Sequence, residues 1–198
     1  MTTIKLQTAE LRRALGNTIL FASKDDTLPA LCVVRFDVRP EAFTLVATNR
    51  YILSYERLLN VSELTGEHES FSMTVADVKE LIRILPRTGV GLTTVSFDCD
   101  EQKITIDIEG DRTTTVKAAD SNFVAWRSLV PDPLKPGERA SIAFDAEWLG
   151  LLAKVDTGTK NRTAIFEFQD EPDGRRKAVH VQIGETFDAM VVPISGAG

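Results

Sequence analysis

The strongest constraint in this sequence of 198 residues is a repeat. A strand-like run, an amphipathic helix and three further strand-like runs recur three times. The helices begin near Ala9, Ala76 and Ala146, giving spacings of 67 and 70 residues. A supersecondary unit of this size leaves one apolar face uncovered and buries it against its neighbours. Each helix has a single apolar side, so the helices should lie on the sheets as an outer layer. The expectation is an α+β fold of three β-α-β-β-β units.

In the first unit, residues 4–7 read as a strand. Thr8 reads as a helix N-cap, with Glu10 near the positive end of the helix dipole. Leu11, Leu15, Ile19 and Ala22 recur at helical spacing, and Pro29 follows the polar stop at 23–27. Strands are expected over 31–38, 43–48 and 51–58. The last two meet at Asn49-Arg50, and Asn enters the left-handed conformation readily, which predicts a hairpin with a very short connection. In the second unit, 71–74 is a strand, and Thr74 with Asp77 forms a capping box. Val78, Leu81, Ile82 and Leu85 make the apolar stripe, stopped at Pro86. Strands over 93–98, 103–109 and 112–118 follow, with Gly110-Asp111 as a turn. The connection 119–137 carries Phe123, Trp126, Leu129 and Val130, which predicts packing. The third unit has a strand at 140–144 and an Asp145-capped helix bearing Trp148, Leu151, Leu152 and Val155. Its strands are 164–169, 178–183 and 186–193, with turns at Asp173-Gly174 and Gly184-Glu185.

Apolar residues are 43% and charged residues 26%, the balance of an ordinary globular chain. The net charge of −6 argues against coating nucleic acid with the whole surface, while leaving room for a local basic face. Lys79, Arg83 and Arg87 fall at i, i+4 and i+8, one stripe if the second helix runs on to 87. The first helix offers Arg12, Arg13 and Asn17, and the third offers Lys154, with Lys160 beyond. These residues fit either a solvated helix face or a surface that touches phosphates without reading bases. Arg175-Arg176-Lys177 fits a solvated hairpin tip.

Nothing in the sequence marks catalysis. There is no P-loop, GxGxxG or GxSxG. His68 and His180 are far apart, and Asp98-Cys99-Asp100-Glu101 fits a solvated turn better than a metal site. Cys32 and Cys99 lack CxxC spacing and fit buried thiols in a reducing compartment. No cofactor and no metal are expected, and the chain is expected not to be an enzyme. The N-terminal residues lack the apolar core of a signal peptide, and no apolar run is long enough to span a membrane. A cytoplasmic protein is expected.

Three stretches carry a family resemblance. Residues 31–49, ending Val46-Ala47-Thr48-Asn49, resemble the segment leading into the middle-domain hairpin of the bacterial DNA sliding clamp, the DNA polymerase III beta subunit. Residues 122–131, Asn-Phe-Val-Ala-Trp-Arg-Ser-Leu-Val-Pro, resemble that family's Phe-Pro-Asp-Tyr-Arg-Arg-Val-Leu-Pro segment. Met190-Val191-Val192-Pro193-Ile194 resembles its closing Val-Met-Pro-Met run. The bacterial clamp has six such units per chain. This chain, with three, resembles a complete clamp domain over 1–131 (units 1–60 and 67–131) followed by half a domain over 138–195.

The resemblance implies a clamp fold with antiparallel sheets outside and helices on one face. It implies no chemistry, but sequence-independent contact with duplex DNA through Arg12, Arg13, Lys79, Arg83, Arg87 and Lys154. It also implies an apolar pocket for an extended partner peptide, formed by Leu31, Thr48, Tyr51, Leu53, Pro131, Val192, Pro193 and Ile194. Its occupant would be a segment of a DNA polymerase or another replication or repair protein. Tyr51 stands where the family has His, Ile52 where it has Arg, and Arg50 where it has Gly. Family rings contain twelve units, which suggests a homo-oligomeric ring of four chains with two-fold axes in its plane. The competing readings are a clamp-fold adaptor or clamp mimic that closes no ring and, last, an enzyme assembled from Asp98, Asp100, His68 and His180.

Overall fold

Strand register shows how the repeats interlock in the computed structural model, which describes residues 1–88, 91–120, 122–130, 143–159, 163–168 and 178–194. The first unit supplies β1 (Thr2–Gln7), α1 (Thr8–Thr18), β2 (Val33–Arg39), β3 (Ala42–Thr48), β4 (Ile52–Leu58) and β5 (Val61–Gly66). The second supplies β6 (Phe71–Thr74), α2 (Val75–Ile84), β7 (Leu92–Asp98), β8 (Lys103–Ile108) and β9 (Arg112–Lys117). The third supplies α3 (Ala146–Leu152), β10 (Ala164–Glu167), β11 (Val179–Ile183) and β12 (Phe187–Val191).

The first two units exchange their leading strands. Strand β1 pairs with β7 of the second unit, and β6 pairs with β2 of the first. Two antiparallel sheets result, ordered β5-β1-β7-β8-β9 and β10-β11-β12-β4-β3-β2-β6. The third unit joins the longer sheet through one seam, β12 against β4, in which Val191 faces Ile52 and Phe187 faces Glu56.

Alternation explains the core. Along β2, Val34, Phe36 and Val38 point one way into a cluster shared with α1, α2 and the other sheet. Rings of Phe36, Phe71 and Phe97 stack in series, with centroids 4.7 and 4.8 Å apart. Burying each such side chain contributes roughly 1.5–3 kcal/mol. A second cluster joins Phe21 and Ala22 to Leu152, Val155, Val181 and Phe187 of the third unit. On the opposite face of the longer sheet, Val46, Leu53 and Met190 are covered by Trp126 from the connection after β9.

Thr74 caps α2 as its sequence suggests: its Oγ1 accepts from the Asp77 amide at 3.1 Å and donates to the Asp77 carboxylate at 2.6 Å. Asp145 caps α3 through the Glu147 amide. Thr8 does not cap α1. It is the first helical residue, buried, with its hydroxyl 2.9 Å from that of Thr93, so a tertiary hydroxyl pair takes the place of the local cap. Helix α2 ends at Ile84, one residue short of Leu85 and two short of Pro86, because proline disfavours helical geometry in its predecessor. Arg87 therefore stands beyond the helix, and the basic stripe on it is reduced to Lys79 and Arg83.

Other boundaries shift. Leu31 sits in a 3-10 turn at Pro29–Leu31, and β2 begins at Val33. Strand β5 was not expected; it adds to the outer edge of β1 with only Val61 and Leu64 partly buried. The expected strand at 140–144 falls partly outside the described residues, and Ala143 and Phe144 are not in a strand. The turn at Asp173-Gly174 lies outside the described residues, as do Lys160 and Arg175-Arg176-Lys177. In the connection after β9, Trp126 is packed, but Leu129 is exposed. Cys32 and Cys99 are free and half-buried rather than buried.

Candidate functional site

The hairpin between β3 and β4 is held by its own polar atoms. Asn49 Oδ1 accepts from the amides of Tyr51 and Ile52 at 3.1 and 3.0 Å, and Thr48 Oγ1 donates to the Ile52 carbonyl at 2.9 Å. The left-handed residue is not Asn49 but Arg50, with φ +82°. Asn49 works instead through its side chain, as an Asx turn does. This tight turn projects Tyr51, 55% exposed, against the third unit, where its ring stacks on Trp148 of α3 at 5.7 Å. The Tyr51 carbonyl accepts from the Val192 amide at 3.2 Å, which extends the seam past the end of β12.

A groove of about 630 Å³ opens at this seam. Thr48, Tyr51 and Leu53 form one wall, Met190 and Val192 the other, and Arg127, Leu129 and Val130 close one side. The structure thus gathers four of the pocket residues expected from the sequence: Thr48, Tyr51, Leu53 and Val192. Leu31 is buried and is not among the lining residues, nor are Pro193 and Ile194, although Ile194 is exposed nearby in the chain. Pro131 lies outside the described residues. Leu129, Val130 and Met190 also line the groove, although the resemblance did not assign them to the pocket. For Val130, its place beside Pro131 in the resembling segment was an available signal.

The cations differ among themselves. Lys79 and Arg87 are exposed, as is Lys154 just past α3. Arg83 is exposed and pairs with Glu80 one turn earlier at 2.5 Å, a contact that solvent screening leaves weak. Arg12 and Arg13 are half-buried and make contacts within the protein. Arg12 Nε donates to the Leu85 carbonyl at 3.0 Å and so ties α1 to the end of α2. Arg13 pairs with Glu56 of β4, whose side chain is fully buried, and donates to the Asp156 carbonyl at 3.0 Å. Asn17 completes this clip. It donates to Glu56 Oε2 at 3.1 Å and to the Asp156 carbonyl at 2.7 Å, and its Oδ1 accepts from the Asp156 amide at 2.8 Å. Burial pushes the Glu56 carboxyl up from its ordinary value, while Arg13 and Asn17 pull it back. Every residue of α1 is consequently buried or half-buried.

A second polar group crosses the seam on the groove side of the sheet. His180 of β11 lies between Glu167 of β10, 2.7 Å from Nδ1, and Asp188 of β12, 2.9 Å from Nε2; the Tyr55 hydroxyl of β4 is 3.0 Å from Nε2. The hydrogen bond to Asp188 is the main cause that raises the His180 pKa, with burial opposing it and Glu167 adding to it. Sequence spacing gave no sign of this cluster, since its members come from four strands. His68 is not part of it. Asp98 behaves as a turn residue, its Oδ1 accepting from the Asp100 amide at 3.0 Å.

No helix among the described residues has the length and apolar character to cross a membrane.

No family model matches the chain. Its fold, however, is similar to solved structures. The DNA polymerase III beta subunit of Thermotoga maritima matches with a TM-score of 0.68 at 15% identity, covering 100% of this chain and 66% of that one. A putative DNA polymerase III beta subunit from Eubacterium rectale matches with a TM-score of 0.71 at 11% identity, again covering 100% and 66%. The DNA polymerase sliding clamp of Bacillus subtilis matches at 0.65 and 14% identity, covering 98% and 64%. The chain spans just under two thirds of the length of these proteins. Three interlocked units, two antiparallel sheets and this likeness along the whole chain give the protein the fold of the bacterial DNA polymerase III beta-subunit sliding clamps.

Proposed function

We propose that the protein is a clamp-type tether without chemistry of its own. It holds duplex DNA without reading sequence and captures a DNA polymerase, or another replication or repair protein, through a short peptide. The observation that carries this reading is the groove at the β4–β12 seam. Its lining is mainly apolar, it is open to solvent, and its walls are sheet-borne and so preformed. Such a groove suits an extended peptide with Leu or Phe anchors. Tethering raises the local concentration of the partner at DNA, which is how a non-catalytic protein increases processivity.

On the DNA side the proposal rests on Lys79, Arg83, Arg87 and Lys154. Arg12 and Arg13, which also tie α1 to its neighbours, are further candidates for that face. In the groove it rests on Thr48, Tyr51, Leu53 and Val192, with Leu31, Pro131, Pro193 and Ile194 as further candidates for its margins. The domain division proposed is a full clamp domain over 1–131 and a half domain over 138–195, acting in the cytoplasm. Four chains would supply the twelve units of a ring.

Reversing Lys79 and Arg83 to Glu is expected to weaken retention on DNA and leave peptide binding intact, whereas Tyr51→Ala does the opposite. Solution mass with and without DNA tests the ring, and a strict monomer at micromolar concentration refutes it. A second reading, an adaptor that closes no ring, draws support from the net charge of −6 and the few free cations on the helices. It predicts peptide binding with no DNA retention.

A further inference from the structure

A second cleft lies on the outer face of the longer sheet, away from α1 and α2. Arg35, Asp37 and Arg39 alternate with the core residues of β2 and so share this face. Residues 122–128 pass across them and leave a cleft of about 420 Å³. Asp37, 4% exposed, is its organiser. Its carboxylate accepts from the Trp126 indole at 2.5 Å and from Ser70 at 3.3 Å, pairs with Arg127, and has Arg39 Nε at 3.8 Å. The Arg127 guanidinium also lies over the Trp126 ring, 4.4 Å from its centroid, a cation–π contact that restrains it.

Three guanidinium groups therefore line one cleft with a single carboxylate among them, an excess of two positive charges in a chain whose net charge is negative. Arg35 is the least compensated. Among the described residues its one hydrogen bond is to Ser72 at 3.5 Å, and no carboxylate oxygen lies within 4.0 Å of it. Glu69 and Asp120 line an adjoining hollow that also includes Arg35, without pairing with it. Burial lowers the pKa of Arg35, and the Asp37 carboxylate opposes that shift.

We propose that this cleft binds a small phosphate-type oxyanion, held by Arg35 and Arg39 and backed by Arg127. Paired N–H donors of a planar guanidinium match phosphate oxygens, and Asp37 pairs with Arg127 and lies beside Arg39 without neutralising the cleft. The site faces away from the helix surface proposed for DNA, so it stands or falls separately from that reading.

The test is titration of the full-length protein with inorganic phosphate at constant ionic strength, with chloride as the reference. Binding is followed by the thermal midpoint and by Trp126 fluorescence in a Trp148→Phe background. Phosphate is expected to raise the midpoint and change Trp126 emission where chloride does neither. Arg35→Gln and Arg39→Gln should each weaken binding about tenfold, the scale of one hydrogen bond to a charged group. Arg39, 54% exposed, is the variant that leaves folding intact. Tighter binding of pyrophosphate than phosphate assigns the site to a polyphosphate, and equal binding assigns it to a lone phosphoryl group. A phosphate response no greater than that of chloride overturns the proposal. So does undiminished binding in both arginine variants, or a duplex DNA fragment that competes while phosphate does not.

Discussion

Replacing Arg13 with Met should cost about 3 kcal/mol of stability. The stem of the side chain keeps its packing, but the guanidinium that pairs with Glu56 and donates to the Asp156 carbonyl is lost. Glu56 has 0% side-chain exposure and would retain one neutral donor, Asn17 Nδ2 at 3.1 Å. Removing one partner of a buried pair typically costs about 3–5 kcal/mol. Protonation sets a ceiling: neutralising a carboxyl of ordinary pKa near 4.5 at about pH 7 costs roughly 3.4 kcal/mol, so beyond that cost Glu56 takes up a proton instead. The Glu56 carboxyl is already raised by burial, and losing Arg13 raises it further. A group raised in the folded state stabilises most below its unfolded value. The deficit should therefore shrink as pH falls from neutral toward about 4.5. Urea unfolding at neutral and mildly acidic pH reads the loss as a lower midpoint at unchanged slope. Adding Glu56→Gln to Arg13→Met should restore about 2 kcal/mol, because no buried charge remains. A loss under about 1 kcal/mol, or weakened DNA retention at unchanged stability, would refute the assignment of Arg13 to an internal clip.

Two further outcomes follow from the site. Because His180 is raised in the folded state, its contribution is complete below its ordinary value of 6.5 and is lost as pH rises through the folded value; His180→Gln should flatten that alkaline decline in thermal midpoint. At the hairpin tip, Arg50→Gly should be neutral or stabilising by up to about 1 kcal/mol, while Arg50→Val should cost about 1–2 kcal/mol, because φ +82° is strained for a β-branched residue; denaturant midpoints of the two variants check this.

Local chemistry was legible in the sequence, and long-range chemistry was not. Thr74 and Asp77 are three residues apart and their side chains bond each other across the helix end, so their capping roles could be read directly. Thr8 has an equally good local pattern, but Thr93 from another strand claims its hydroxyl. Strand β5 was missed because only Val61 and Leu64 of its residues meet the core, while edge pairing with β1 uses backbone groups that carry no sequence signal. The resemblance brought Thr48, Tyr51, Leu53 and Val192 to one groove. It could not separate Lys79, which is exposed, from Arg13, which resembles it in sequence but faces a buried carboxylate.

The seam between β12 and β4 has a thermodynamic consequence. The groove's two walls come from distant parts of the chain, so the groove exists only while the third unit is docked. Any occupant then binds the docked state alone and shifts that equilibrium by mass action. A bound peptide would slow amide exchange across β11 and β12 even at positions it never touches. The tethered partner would in this way reinforce the junction that holds it.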